Sequence, residues 1–166
     1  MNGKLISIAT ILLIAASSII AATATKPADT SDTFNGRVEN YPRQLLKPGR
    51  GTIALNITIP KGFHSTKEAP ITFNWRSDNS KIVSFLKDSS KFDFKNATYP
   101  ISIPVKGISG KTELTIDASI FFCKNGSTVC QFDFVRLKIP VEVSASGSTK
   151  LPITVDAVAK GTRDDL

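Results

Sequence analysis

Cys123 and Cys130 are the residues of this chain whose type and spacing could support chemistry. Six residues lie between them and include Asn125-Gly126, a strong reverse-turn signal because both residue types tolerate positive φ. The segments on either side have β-like patterns, so a chain reversal at this point brings the two cysteines together across a hairpin. Such a pair either braces the fold or exchanges electrons with other thiols, and the spacing alone is compatible with both roles.

A bond between Cys123 and Cys130 would close a loop of eight residues. The loss of chain entropy in so short a loop corresponds to about 2.5 kcal/mol of stability, which is modest for a domain with a full core. A disulfide needed mainly for stability more often joins distant parts of a chain, so the short loop leaves room for a redox role. The charge of the neighbouring Lys124 would favour a thiolate at Cys123.

Other kinds of catalytic or ligand-binding centre lack the residues that they require. His64 is the single histidine, and together with one cysteine pair it does not make a zinc or copper site. It is also the only imidazole available to activate a serine, and the favoured interpretation is a surface histidine. No phosphate loop or dinucleotide fingerprint is present. We therefore expect no metal and no cofactor.

The first 24 residues have the pattern of a secretory signal peptide. An apolar run over residues 5–22 is followed by Ala22-Thr23-Ala24, which fits the small-x-small cleavage rule and places the mature start near Thr25. The run is also long enough for an uncleaved membrane anchor, which remains the alternative. We expect an exported protein, periplasmic or secreted, whose two cysteines meet oxidising conditions and pair.

The charges of the chain are spread along its length. Lys and Arg number 21 and Asp and Glu number 14, for a net charge of +7, without a basic helix or interleaved basic and aromatic residues. This pattern indicates a solvated basic surface, and we expect no nucleic-acid partner. Three glycosylation sequons begin at Asn56, Asn96 and Asn125. In a eukaryotic host they would allow a further functional interpretation, a glycosylated surface module.

The mature chain alternates apolar and polar residues with a period of two and shows no helical period. The clearest alternations cover residues 52–59, 71–75, 114–122, 132–143 and 151–158. We predict an all-β, immunoglobulin-like antiparallel β-sandwich of about seven to nine strands over residues 34–160. Residues 25–33 are expected to form a disordered lead-in, and residues 161–166 a flexible tail.

Two finer predictions concern individual strands. Pro100 and Pro104 interrupt the pattern of residues 99–106, and they predict that this strand lies at a sheet edge. After Cys130, the apolar face shifts once between Phe134 and Leu137, which predicts a β-bulge there.

The order of several motifs resembles a known family. The motifs are a strand ending in Ile-Pro-Lys-Gly-Phe-His, an Ala-Pro, the strand Tyr-Pro-Ile-Ser-Ile-Pro-Val, and Phe-Phe-Cys with a second Cys after six residues, followed by Val-Arg-Leu-Lys-Ile-Pro-Val-Glu-Val. Together, over residues 58–143, they resemble the N-terminal periplasmic domain of the thiol:disulfide interchange protein DsbD. They are also similar to the β-domain that closes NHL-repeat, thioredoxin-like proteins.

The resemblance implies a function for the cysteine pair. In the DsbD domain the pair takes electrons from a membrane-embedded partner and passes them to thioredoxin-like proteins. By position, Cys130 would exchange with partners and Cys123 would resolve the mixed disulfide, while Phe92 or Phe94 is the candidate aromatic cap. Two features depart from that family. The cysteine spacing is one residue longer than in the DsbD domain, and the segment that begins at Gln131 differs from the one that follows the second cysteine there.

The leading interpretation is therefore an exported thiol–disulfide exchange module, a protein-disulfide oxidoreductase, whose partners are thioredoxin-like or membrane electron-transfer proteins. The alternative is a non-catalytic immunoglobulin-like binding or accessory domain with a structural disulfide.

Overall fold

The computed structural model describes residues 34–66 and 69–160. The predicted signal peptide (residues 1–24), lead-in (residues 25–33) and tail (residues 161–166) lie outside the described residues. The described part contains ten strands and a 3₁₀ turn at Ser89–Lys91, and none of its residues forms a helix that could cross a membrane. The strands are β1 (Arg37–Asn40), β2 (Gln44–Leu46), β3 (Gly49–Thr58), β4 (Phe63–Ser65), β5 (Thr72–Ser77), β6 (Val83–Phe85), β7 (Ile101–Gly107), β8 (Gly110–Lys124), β9 (Cys130–Val143) and β10 (Lys150–Asp156).

The strands form two sheets that pack as a sandwich, so the predicted all-β sandwich is confirmed. In the first, which we call the hairpin sheet, β8 and β9 form a long antiparallel hairpin at the centre. The strands β4 and β5 pair with the free side of β8, and β1 and β2 pair with the free side of β9. The second sheet has the order β10-β3-β7-β6.

The strand number and the orientation of three strand pairs differ from the sequence prediction. Three of the ten strands, β2, β4 and β6, contain only three residues each, which is too short for a visible alternation. Three pairings are parallel, those of β1 with β9, β2 with β9 and β10 with β3. Period-two patterning tells which face of a strand is buried but not in which direction its neighbour runs.

The core consists of the inner faces of the two sheets. On β8 the residues of the inner face occupy every second position from Leu114 to Phe122, and Phe122 is fully buried. Burying a side chain of this size stabilises the fold by about 1.5–3 kcal/mol, so the facing direction of β8 is strongly determined. Cys123, the next residue, therefore belongs to the outer face of the hairpin sheet.

The predicted edge position of residues 99–106 holds for only part of the strand, since β7 lies between β3 and β6 but β6 pairs only with residues 105–107. Residues of an antiparallel strand direct their N–H and C=O toward the same neighbour. The Pro104 carbonyl accepts a hydrogen bond of 2.9 Å from Leu86 N–H, so the Pro104 nitrogen faces the β6 side of the strand. There β6 has already ended at Phe85, and the missing N–H interrupts no ladder.

The predicted bulge between Phe134 and Leu137 is wrong. Residues of β9 pair with β8 without interruption from Cys130 to Val143. The inner face of β9 continues toward the turn through Val135 and Asp133, whereas Phe132 and Phe134 lie on the outer face. An aspartate on the inner face and phenylalanines on the outer face gave the apolar pattern the opposite phase.

Candidate functional site

The β8–β9 turn places the two cysteines opposite each other. Gly126 has a φ of +70°, and Ser127 N–H donates to Lys124 O over 3.3 Å to close the turn. Lys124 N–H donates to Val129 O over 2.9 Å, so the next pair, Cys123 and Cys130, is a non-hydrogen-bonded pair, the kind in which opposite Cα atoms approach most closely. Their Cα atoms are 3.9 Å apart and their sulfurs are bonded. The predicted hairpin and disulfide are both present.

The two halves of the disulfide differ in their access to solvent. Cys123 lies within the sheet between β4 and β9 and is 6% exposed. Cys130 is the first residue of β9 and is exposed, and its Sγ lies 3.8 Å from the Thr128 carbonyl oxygen. An incoming thiolate reaches Cys130 more easily than Cys123, because thiol–disulfide exchange needs access to the sulfur that is attacked.

His64 is the neighbour of Cys123 on the side away from Cys130. In the register of β4 with β8, His64 lies directly opposite Cys123, and directly opposite residues share a face of the sheet. The row across β4, β8 and β9 is thus His64, Cys123 and Cys130. Sequence reasoning treated His64 as a surface residue and missed this juxtaposition, because β4 has three residues and its partner lies about sixty residues away.

The lysine that follows Cys123 in sequence is directed away from it. Strand alternation places the Lys124 side chain on the inner face, opposite to Cys123, so the charge nearest in sequence is not the side-chain neighbour of the sulfur. The segments around the disulfide, residues 57–66, 118–132 and 157–160, contain Lys61, Lys124 and Lys160 but no Asp or Glu. An aspartate lies directly beyond each of the segment ends at residues 118, 132 and 157, so the charge around the disulfide is mixed.

Three phenylalanines continue from the disulfide along the outer face and form what we call the aromatic strip. Phe121 and Phe132 are directly paired with ring centroids 4.6 Å apart, and Phe132 stacks on Phe134 at 6.0 Å with an interplanar angle of 3°. Phe132 and Phe134 are 53% and 45% exposed. Once the cysteines are taken as opposite residues, the register of the hairpin places the strip beside them, so this signal was available in the sequence.

The candidate cap residues Phe92 and Phe94 lie elsewhere. Their rings contact each other and Trp75, and Phe94 also contacts Phe73. Phe73 pairs with Ala118, five residues along β8 from Cys123, and both belong to the inner face, whereas the disulfide is on the outer face. The aromatic contacts of Phe92 and Phe94 thus strengthen the core at the β5 edge, and the described structure does not bring either ring over the cysteines.

The residues between the phenylalanines of β9 bind the chain that follows β10. The Gln131 amide accepts from Lys160 N–H over 2.9 Å and donates to Lys160 O over 3.1 Å. The Asp133 carboxylate, 4% exposed, accepts from Val158 N–H over 2.9 Å and from the Arg37 guanidinium over 3.0–3.2 Å. The segment that departs from the DsbD pattern therefore anchors residues 157–160 with one face and presents the aromatic strip with the other.

A second polar cluster lies farther along the outer face of β8. Asp117 accepts hydrogen bonds from Arg136 over 2.6 and 2.8 Å and from Arg76 over 2.9 Å. Partial burial raises the pKa of Asp117, but the hydrogen bonds from Arg136 and Arg76 outweigh it, so its pKa lies below the ordinary value. Asp117 lies six positions before Cys123, and the cluster stabilises the sheet rather than the disulfide.

Among residues 34–66 and 69–160, no group of three or more His, Cys, Asp or Glu side chains is placed to hold a metal ion. Comparisons with known proteins add no family assignment: no protein-family model matches the sequence, and no curated protein matches it. The likeness to the DsbD domain rests on the sequence motifs of residues 58–143 alone.

Proposed function

We propose that this protein is an exported thiol–disulfide exchange module that acts through Cys123 and Cys130 on thioredoxin-like partners. The observation that carries the proposal is the asymmetric disulfide, with one half exposed at the start of β9 and the other buried in the sheet. A sulfur that partners can reach, linked to one that they cannot, suits a pair in which one cysteine exchanges and the other resolves.

The electron transfer follows from this arrangement. A thiolate of a dithiol donor, such as a membrane electron-transfer protein, attacks Cys130 Sγ, and Cys123 Sγ leaves with the electron pair of the broken S–S bond. The second thiol of the donor attacks the donor sulfur of the mixed disulfide and releases Cys130, so the donor becomes a disulfide and the domain a dithiol. Cys130 then attacks the disulfide of a thioredoxin-like acceptor. Cys123 resolves that mixed disulfide, and the acceptor leaves as a dithiol.

The surroundings of the pair support a transient encounter with another protein. The aromatic strip is an exposed apolar surface beside the attacked sulfur, and exposed aromatic residues are characteristic of contact sites.

A redox titration of the folded protein tests the proposal. The purified protein is equilibrated in a dithiothreitol or glutathione series, the free thiols are trapped, and Trp75 fluorescence reports whether the fold persists. Reduction of the folded protein at a potential above about −300 mV would support exchange, since structural disulfides usually lie below that value. A bond that resists reduction until the domain unfolds would overturn it.

Trapping a mixed disulfide tests the roles of the two sulfurs. In Cys123→Ala, Cys130 should form a stable mixed disulfide with a purified thioredoxin-like protein whose own resolving cysteine has been removed and whose remaining cysteine carries an aryl mixed disulfide, so that Cys130 attacks this sulfur and the aryl thiolate leaves. The matched variant Cys130→Ala should trap much less, because its remaining thiol is buried. Equal trapping by the two variants would contradict the assignment of Cys130 as the exchanging residue.

The second candidate function is a non-catalytic binding or accessory domain with a structural disulfide. The exposed aromatic strip favours it, because such a surface can bind a partner without any redox step. The same titration separates the two functions, since this alternative requires a disulfide that stays closed in the folded protein.

A further inference from the structure

We propose that His64 is the proton-transfer partner of Cys123, delivering a proton to its sulfur when the disulfide opens and accepting it when the disulfide forms again. This inference rests on the proposed exchange function and adds to it a residue that acts on the leaving sulfur. It makes the opening of the disulfide dependent on pH through a histidine.

The first observation is the placement of His64 by β4. His64 is the cross-strand neighbour of Cys123, and the Cβ atoms of such neighbours lie about 4.5–5.5 Å apart. Phe63 packs edge-on against Phe122 with ring centroids 5.3 Å apart, and Asn125 N–H donates to Gly62 O over 2.8 Å. These contacts, made by the two residues before His64, tie this short strand to the hairpin that carries the disulfide.

The second observation is the orientation of the imidazole. His64 Nδ1 lies 2.8 Å from Asn125 Oδ1, and an amide oxygen only accepts hydrogen bonds, so Nδ1 carries the hydrogen. In the neutral ring Nε2 is then the atom that accepts a proton, and in the imidazolium it is the atom that gives one up. Asn125, a residue of the same turn, therefore selects the tautomer that a proton acceptor needs.

The third step concerns the Cys123 sulfur, which leaves as a thiolate and needs a proton that His64 can supply. When a thiolate attacks Cys130, the Cys123 sulfur receives the electron pair of the S–S bond as a thiolate that is largely withdrawn from water. A poorly solvated thiolate is unfavourable unless a positive charge or a proton reaches it. The imidazolium of His64 supplies both: it stabilises the developing charge and then transfers its Nε2 proton, which leaves a neutral thiol beside a neutral imidazole.

The other charged groups around the disulfide are not placed to transfer a proton to the Cys123 sulfur. Lys61, Lys124 and Lys160 lie in the segments around the disulfide, but none of them is a cross-strand neighbour of Cys123. On β9, Asp133 faces inward and is paired with Arg37. The acidic group nearest on the outer face of β8 is Asp117, which is held by Arg136 and Arg76. Imidazole is the side chain whose charge ordinarily changes between pH 5 and 8.

The test compares the wild-type protein with His64→Gln over the pH range 5.5–8.5. The rate of disulfide opening by dithiothreitol is divided by the concentration of dithiothreitol thiolate, which removes the titration of the reagent. In the wild type this corrected rate should be about ten-fold higher at the acid end of the range than at the alkaline end, a conservative value for an acid catalyst. In His64→Gln it should be low and independent of pH, and Lys61→Gln, which removes a neighbouring charge, should keep the wild-type profile.

A single-thiol background gives an independent readout. In Cys130→Ala only the Cys123 thiol remains, and its alkylation rate reports the fraction of thiolate. An opposite charge within about 4–6 Å lowers a pKa by at least one unit, so adding His64→Gln should decrease alkylation near pH 6 about ten-fold. Thermal unfolding curves establish that each variant is folded before the rates are compared.

The outcomes distinguish this inference from the function on which it rests. If the wild-type disulfide opens readily but His64→Gln shows the same pH profile and the same alkylation rate, the role of His64 is refuted and exchange stands. A wild-type disulfide that opens only on unfolding sinks the exchange function. The alkylation comparison then still decides whether His64 stabilises the Cys123 thiolate.

Discussion

Reducing the Cys123–Cys130 disulfide should lower the free energy of unfolding by about 2.5 kcal/mol and leave the protein folded. The magnitude comes from the loop of eight residues that the bond closes, through the chain entropy that it removes from the unfolded state. The folded hairpin has other support, because Phe122 is fully buried beside the bond and β8–β9 pairing continues to Gly110 and Val143. The reduced protein should therefore keep its native hairpin.

Urea unfolding of the oxidised and reduced protein measures this difference. Trp75 is the single tryptophan and is buried in the hairpin sheet, so its fluorescence follows the core. With a slope of about 2–3 kcal/mol per molar urea, the midpoint should fall by about 1 M on reduction. The double variant Cys123→Ala/Cys130→Ala, measured with and without reductant, controls for effects of the reductant itself.

The same free energy must appear in the redox equilibrium, since folding and reduction are linked. A stabilisation of about 2.5 kcal/mol corresponds to about 50 mV for a two-electron couple, so the folded protein should be harder to reduce than the urea-unfolded chain by that amount. A decrease in the free energy of unfolding above about 5 kcal/mol, or loss of the native Trp75 signal on reduction, would refute the claim that the hairpin stays folded without its disulfide. No measurable loss would refute the loop-entropy reasoning.

Three further predictions concern the hairpin sheet. Asp133→Ala should lower the free energy of unfolding, measured with urea, by about 3 kcal/mol, because it leaves Arg37 and a backbone N–H without a buried carboxylate partner. A decrease of less than about 1 kcal/mol would contradict the importance of that pairing. The pKa of Asp117 is lowered in the folded state, so its contribution to stability is complete above the unfolded value of about 3.9 and is lost as the pH falls through the folded value. Urea midpoints between pH 6 and 2 should accordingly fall less steeply for Asp117→Asn than for the wild type, and equal slopes would be evidence against this role. Phe132→Ser with Phe134→Ser should lower the free energy of unfolding by about 1.5–3 kcal/mol and leave the protein folded, since each ring is about half-buried and packs against another ring of the strip. The double variant should also decrease the yield of the mixed disulfide with a thioredoxin-like protein several-fold, and an unchanged yield would remove the aromatic strip from the docking surface.

Much of the fold could be read from local patterns. Alternation over residues 114–122 and 151–158 predicted strands that the structure contains as β8 and β10, and Asn125-Gly126 predicted the turn between the cysteines. These predictions succeed because the period of two and the tolerance of positive φ are properties of neighbouring residues along the chain. The predictions that failed depended on partners elsewhere in the chain.

The edge prediction for β7 held only in part, and the bulge prediction at Phe134 failed, for this common reason. A proline is excluded from a ladder only where a neighbouring strand would receive its N–H, and β6 ends before that point. The phase of β9 was misread because Asp133 takes an inward position that Arg37 and the chain after β10 make favourable. Phe92 and Phe94 were assigned to the cysteines through a family pattern, whereas their neighbours here are Trp75 and Phe73.

The sequence by itself determined the all-β character of the described domain, the position of the hairpin and the pairing of its two cysteines. Each of these follows from residue types within a few positions of one another. Only the tertiary structure decided which sulfur is exposed and that His64, not Lys124, is the side-chain neighbour of Cys123. These features depend on strand register and on the choice of the inner face, which are set by burying the whole core at once rather than by any local segment.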